Sequence, residues 1–206
     1  MTMTEPRLLD RSMMDRLAEF HGHQCPGLAM GVQAARIALR EVGPDTTDEG
    51  VVAVVETDMC GVDAIQFMTC CTFGKGNLVH LDHGKKVFSF YRRSDGKAVR
   101  IAARAGAMAG DPEHQRLRER ISAGQASDED RQRFRELHAQ RAEQVLAQDP
   151  DELFAVTPIE GDPPPRARIK ASVACANCHE EAMESRIRRL NGRELCQPCF
   201  DAELGG

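Results

Sequence analysis

The 206-residue chain has no tryptophan, a single tyrosine and eight phenylalanines. Its core must therefore rest on aliphatic side chains, methionine and cysteine. Uncharged apolar runs are short, none approaching the ~18 residues that a membrane-spanning helix needs, and the N-terminal stretch with Glu5, Arg7, Asp10, Arg11 and Asp15 lacks an apolar secretory segment. These features predict a cytoplasmic protein without membrane partners. No self-similarity recurs at a period of ~20–50 residues, which excludes a repeat array. Basic charge is not in excess: 27 Lys and Arg stand against 32 Asp and Glu, a net charge of −5. That balance argues against nucleic acid as the main partner, because affinity there comes from neutralising phosphates.

What is present is a soluble globular composition, 41% hydrophobic and 29% charged. There are also eight cysteines, at 25, 60, 70, 71, 175, 178, 196 and 199. In a reducing cytoplasm such cysteines point to metal ligation or thiolate chemistry rather than to disulfides.

The composition divides the chain into an α+β core over residues 1–160, a Pro-rich linker over 161–171 and a small C-terminal segment over 172–206. In the core, Leu9, Met13, Leu17 and Phe20 fall on one face of a helix over 8–20. A second helix runs from Pro26 to about Glu41, with Leu28, Val32, Ala35 and Leu39 inward, and ends at Gly43-Pro44. Val51 to Val55 reads as a buried strand and Asp63 to Met68 as a short helix. Residues 86–91 and 98–102 alternate around Ser94-Asp95-Gly96 as an antiparallel hairpin, so the sheet is mostly antiparallel. Residues 111–148 predict one short and one long charged helix, with a solvated face or a dimer arm as their role, and Leu153 to Val156 a last strand. Asp162-Pro163-Pro164-Pro165 favours a stiff extended linker.

The C-terminal segment is too short to be held by apolar burial. It carries Cys175-x-x-Cys178, seventeen intervening residues and Cys196-x-x-Cys199, the spacing of a structural zinc site. Each pair places two thiolates from one tight turn at ~2.3 Å from a common ion. A rubredoxin-like iron site and a redox dithiol share the spacing; zinc is favoured. Asn191-Gly192 supplies a hairpin turn, and a terminal helix starts near Phe200. Arg186, Arg188, Arg189 and Arg193 are offset by Glu180, Glu181, Glu184 and Glu194, which favours protein contact or a structural role for the finger over nucleic acid.

A second cluster lies near the N-terminus. In His21-Gly22-His23-Gln24-Cys25-Pro26, the residue before proline is driven to extended geometry while Pro26 opens a helix. If the whole stretch is extended, His21, His23 and Cys25 project to one side, and the helix start lowers the Cys25 thiol pKa. Cys60 follows the buried strand and is a further ligand or nucleophile, with Glu56, Asp58 and Asp63 as acceptors or a proton relay. Gly74-Lys75-Gly76-Asn77 is not a P-loop, but it could hold an anionic group through Lys75 and nearby N–H groups. His21, His23, Cys25 and Cys60 are thus the candidate ligands of a zinc or other divalent ion. Cys25, Cys60 and Lys75 are candidate catalytic groups, and Lys75, Asn77 and Asp63 candidate substrate contacts.

Phe20 to Ala29, the Glu56 to Gln66 stretch containing Cys60-Gly61-Val62-Asp63, and Cys71 to Leu78 together resemble the FmdE family, relatives of the FmdE component of molybdenum or tungsten formylmethanofuran dehydrogenase. The resemblance covers most of residues 12–105. It implies an α+β core, a homodimer, a cleft built around the histidine and cysteine motifs, and an association with molybdenum or tungsten enzymes of one-carbon redox metabolism. It also implies a C-terminal treble-clef zinc finger. It does not assign a reaction: a non-catalytic adaptor docking on a larger enzyme through the finger, or a zinc-finger regulator, is the alternative. Cys70 stands where the family usually has glycine.

Overall fold

The structure, a computed structural model, describes residues 11–44 and 49–205. It divides into two compact units, Met1–Arg166 and Ala167–Gly206. Among the described residues no helix is long and apolar enough to cross a membrane.

In the first unit, α1 (Arg11–His21) leads through a short loop to α2 (Pro26–Glu41), β1 (Val51–Val55), α3 (Gly61–Thr69), β2 (Leu78–His80), β3 (Val87–Arg92) and β4 (Ala98–Ala103). Then come α4 (Pro112–Ser122), α5 (Asp128–Ala147), the one-turn α6 (Pro150–Leu153) and β5 (Phe154–Pro158). The five strands form one sheet in the order β2-β1-β3-β4-β5. Only β1 and β2 are parallel; the other three pairings are antiparallel. This is the mostly antiparallel α+β architecture that the pattern predicts. Residues 8–10 of the expected first helix, with Leu9, lie outside the described residues. On that helix Met13 and Leu17 are buried as expected, but Phe20 is 56% exposed. Three residues advance a helix by about 300°, which swings Phe20 to the edge of the apolar stripe, where its ring meets Phe67 at 6.0 Å.

The central helix is α2, starting at Pro26 because that ring presets helical φ and has no N–H to satisfy. It is buried on nearly all sides. Its one buried amide, Gln33, donates from Nε2 to the carbonyls of Val145 (2.7 Å), Leu146 (3.1 Å) and Gln148 (2.9 Å). These lie at the C-terminal end of α5, where carbonyls lack intrahelical partners. The charged helices are therefore docked on α2, and Ala142 and Val145 of α5 are buried. Their starts follow the sequence: Asp111 caps α4, and Ser127 with Asp130 forms a reciprocal capping box at α5. A helix pair docked in this way is more than the solvated face or dimer arm expected from its charge.

Three glycines bring α2 and α3 together. A Cβ on Gly31 would stand 2.2 Å from the Gly61 carbonyl oxygen and 2.6 Å from its Cα, and a Cβ on Gly27 3.2 Å from Cys60 Cβ. Only hydrogen at Gly31 lets the two backbones approach, with Gly27 and Gly61 fitting tightly beside it, and that approach sets Cys60 beside Cys25. At the other end of α3, Cys70 adopts φ +57°, left-handed geometry that costs a side chain about 1–2 kcal/mol and that glycine adopts freely. This is a physical reason for the glycine expected there. Cys70→Gly should raise the stability of the first unit by about 1 kcal/mol, read as a higher urea midpoint; an unchanged or lower midpoint would contradict that account.

The second unit consists of a hairpin of β6 (Ser172–Ala174) and β7 (Glu181–Met183), a hairpin of β8 (Arg188–Leu190) and β9 (Arg193–Leu195), and helix α7 (Gln197–Leu204). The second hairpin turns at Asn191-Gly192, both with positive φ, as the sequence predicts.

Candidate functional site

Cys25 is extended (φ −151°, ψ 160°) and sits at the N-cap of α2, where its Sγ accepts the Leu28 N–H at 3.3 Å. The neighbouring histidine arrives differently from the sequence expectation. His21 is the last residue of α1 and Gly22 turns the chain at φ +93°, so the alternation of an extended segment does not apply. His21 instead reaches back, its Nε2 lying 3.8 Å from Cys25 Sγ. Cys60, at the start of α3, completes the group: ligand atoms of His21, Cys25 and Cys60 all lie within 4.8 Å of one another. His23 is not in this set. Its ring packs on that of His21, centroids 4.6 Å apart.

His21 Nδ1 is 2.7 Å from Asp63 Oδ2. A carboxylate only accepts, so Nδ1 carries the hydrogen and Nε2 turns its lone pair toward the sulfurs. A carboxylate behind a ligating imidazole is the usual outer partner in metal sites. Burial pushes the Cys25 thiol above its ordinary range, with the Leu28 N–H pulling the other way and Cys60 adding to the rise. The predicted lowering by the helix start is thus outweighed by desolvation.

The Gly74–Asn77 loop does not join this group. Asn77 is buried, its Oδ1 accepting the Thr72 N–H and its Nδ2 donating to the Val51 and Cys70 carbonyls; it braces the loop. Lys75 Nζ donates to the Cys70 carbonyl. Both residues follow the C-terminal end of α3, whereas Cys60 precedes its start, and nine helical residues span roughly 13 Å. Glu56 faces His83 and Arg100, and Asp58 is exposed. Of the acidic residues near Cys60, Asp63 is the one engaged with a member of the cluster.

Cys25 and Cys60 open onto a cavity of about 520 Å³, which His23 also lines. Much of its wall comes from residues the sequence does not single out: His114 and Arg118 of α4, and His138 and Arg141 of α5. This corrects the expectation that these helices are merely solvated. Their spacing, four residues on α4 and three on α5, puts each pair on one helix face. The signal is hidden because both helices are charged all round.

In the second unit Cys175, Cys178, Cys196 and Cys199 offer four sulfurs within 4.8 Å. Cys178 and Cys196 Sγ are 3.8 Å apart, the edge of a tetrahedron of thiolates at ~2.3 Å from one ion. The backbone N–H of Cys196, ahead of that of Cys178, holds the Cys175 thiol down at about 6. Against the pull of the Glu180 N–H, desolvation and three sulfur neighbours push Cys178 up to about 12. Four such sulfurs become thiolates together only around a cation, so the donor set fits zinc.

An α+β core with a histidine–cysteine pocket, followed by a separate four-cysteine finger, defines a two-unit metal-binding protein. The family model described as FmdE, Molybdenum formylmethanofuran dehydrogenase operon, matches residues 20–155. The prokaryotic dksA/traR C4-type zinc finger matches residues 165–203. The chain belongs to the FmdE family. It is similar to a probable S-adenosyl-L-methionine-binding protein of Archaeoglobus fulgidus, with 33% identity over 84% of this chain and 49% of that protein; the chain thus spans about half the length of that relative. A tungsten formylmethanofuran dehydrogenase FmdE-like protein of Syntrophus aciditrophicus, known as a crystal structure, shares the fold. Its TM-score is 0.63 at 22% identity, over 93% of this chain and 91% of that one.

Proposed function

We propose that this chain is a metal-dependent FmdE-like protein that works with a molybdenum or tungsten oxidoreductase of one-carbon metabolism and holds zinc or another divalent ion on His21, Cys25 and Cys60. The observation that carries this reading is the convergence of one imidazole nitrogen and two sulfurs within 4.8 Å at the edge of a cavity. Imidazole with thiolate suits zinc, and three protein ligands leave one coordination position for water or substrate. An ion held there supplies Lewis acidity and lowers the pKa of a bound water toward ~7. The protein's part is positional: Asp63 holds the His21 ring, the Leu28 N–H orients Cys25, and the Gly31–Gly61 contact sets Cys60 beside it. The finger serves in this reading as the docking element toward the larger enzyme, and the core as one half of a homodimer.

Elemental analysis of the full-length protein tests the core site. Two divalent ions per chain are expected, falling to one in Cys25→Ser plus Cys60→Ser; a single ion in the wild type, or a stoichiometry unchanged by the double substitution, counts against it. The name of the archaeal relative suggests S-adenosylmethionine as an occupant, but the cavity has no acidic side chain among its lining residues to face a sulfonium or an ammonium group.

A further inference from the structure

We propose that the α4–α5 wall of the cavity is an anion-binding subsite that holds the carboxylate or phosphate of a small acidic ligand through Arg118, Arg141 and the His114–His138 pair. Placing the ligand's other end at the His21, Cys25 and Cys60 group rests on the proposed core metal site; the anion contact itself does not.

The first argument is charge. The chain as a whole carries more acid than base, yet the cavity is lined by Lys86, Arg118 and Arg141 and by no aspartate or glutamate. Among the described residues none of these three cations is in an ion pair, although the surface elsewhere is rich in them. Unpaired cations crowded around a concavity repel one another, and an anion relieves the repulsion.

The second argument is an unfilled donor. Arg141 donates from Nη2 to the Ala107 carbonyl at 3.0 Å and from Nη1 to Gln144 at 3.3 Å. Its Nε is buried without a partner. A buried donor on a charged group costs about 1–3 kcal/mol or more when left unmade; the two anchors hold the guanidinium in place, and an anion in the cavity supplies the missing acceptor.

The third argument is the histidine pair. His114 Nε2 and His138 Nδ1 are 3.0 Å apart, and Phe134 stacks on both rings at 4.7 and 5.0 Å. Burial, with Arg118 and other nearby charges adding to it, holds both imidazoles below their ordinary range; Asp111 pulls His114 back only in part, and its own side chain caps α4. Two neutral rings carry two N–H hydrogens. One is shared between them, so in either tautomer the pair keeps one outward N–H. According to the tautomer it sits on His138 Nε2 or on His114 Nδ1, and it is available as a donor from rings that Phe134 holds stacked. A volume of about 520 Å³ is that of a small-molecule site.

The test uses zinc-loaded, full-length protein titrated calorimetrically at low ionic strength with inorganic phosphate and, separately, with succinate. At least one probe is expected to bind at one site per chain. Arg118→Gln and Arg141→Gln should each weaken it by about tenfold or more, the loss of one charge-assisted hydrogen bond, and Arg118→Lys should restore most of the affinity. Arg118 is exposed and its side chain is in no hydrogen bond or ion pair among the described residues, so its variant keeps the test valid should Arg141→Gln fail to fold. Binding of phosphate alone identifies a phosphate-bearing ligand, and of succinate alone a carboxylate. Binding of neither, or affinity that both glutamine variants retain, overturns the subsite. Metal content measured on the same samples separates the two readings. Two ions per chain without anion binding refutes only the subsite; one ion per chain with anion binding refutes only the core metal.

Discussion

Cys196→Ser is expected to unfold residues 172–204 while the first unit keeps its own cooperative transition. The finger's fully buried apolar set is Cys175, Leu195 and Cys196, with Ala182, Leu190, Cys199 and Phe200 packed partly against it. Two of those three are themselves ligands, so the apolar core reduces to little more than one leucine. Ordering each residue costs about 1–2 kcal/mol of backbone entropy, which so small a core does not offset. Structural zinc in such domains supplies roughly 10–16 kcal/mol of apparent binding free energy at neutral pH, expressed as folding. Removing one of four thiolates leaves an incomplete shell, and excess chelator should reproduce the effect in the wild type. Limited proteolysis of the full chain checks both: cleavage within 172–204 should become fast as the finger's zinc is lost. A segment that stays protected in metal-free protein would show that burial alone suffices. Each compact unit has its own apolar cluster, which is why the first is expected to survive.

Gly31→Ala carries the second large effect, and it acts on a site that it does not touch. The added methyl would lie 2.2 Å from the Gly61 carbonyl oxygen and 2.7 Å from its carbonyl carbon, and both obstacles are backbone, so no rotamer change relieves the clash. The helices must part. Overpacking of this kind costs about 3 kcal/mol or more, which for a unit of this size lowers the melting temperature by roughly 10 °C. Because Cys25 caps α2 and Cys60 starts α3, the same separation draws the two sulfurs apart, and the core metal content should fall with the melting temperature. Gly74→Ala is the control: nothing lies within 4 Å of its added methyl, and its effect should stay within about 0.5 kcal/mol. A Gly31→Ala protein that melts with the wild type would remove the close-approach account of the site.

How much of the site is legible in the sequence follows from how local each cause is. The start of α2 is set by a proline ring and its end lies beside Gly43 with φ +87°; both are effects of one residue on its neighbours, and both fall where the sequence predicts. The same holds for the extended Cys25 before Pro26, the β3–β4 hairpin and the four-cysteine finger, whose ligands lie two by two within single turns. His21 departs from its expected geometry because the fate of a five-residue loop depends on whether α1 continues through it, and that is decided by packing of Met13 and Leu17. Lys75 and Asn77 have the composition of a ligand loop, but the direction of α3 places them at the wrong end of it. Gln33 gives no warning in the sequence that it satisfies the end of a helix more than a hundred residues away.

The amino-acid order by itself determined α2, β1, α3, the β3–β4 hairpin, the four-thiolate finger and the pairing of histidine with cysteine chemistry in the larger unit, because steric preference, capping and ligand spacing act over a few residues; it left β2, α6 and the β6–β7 hairpin unmarked. Only the tertiary structure decided that His21 rather than His23 joins the two sulfurs, and that α4 and α5 turn their cations toward the same cavity. Those outcomes depend on which surfaces can come within van der Waals distance. Here they follow from the packing of Met13 and Leu17 of α1 into the core and from Gln33 of α2 holding the end of α5, relations between distant parts of the chain that no local pattern expresses.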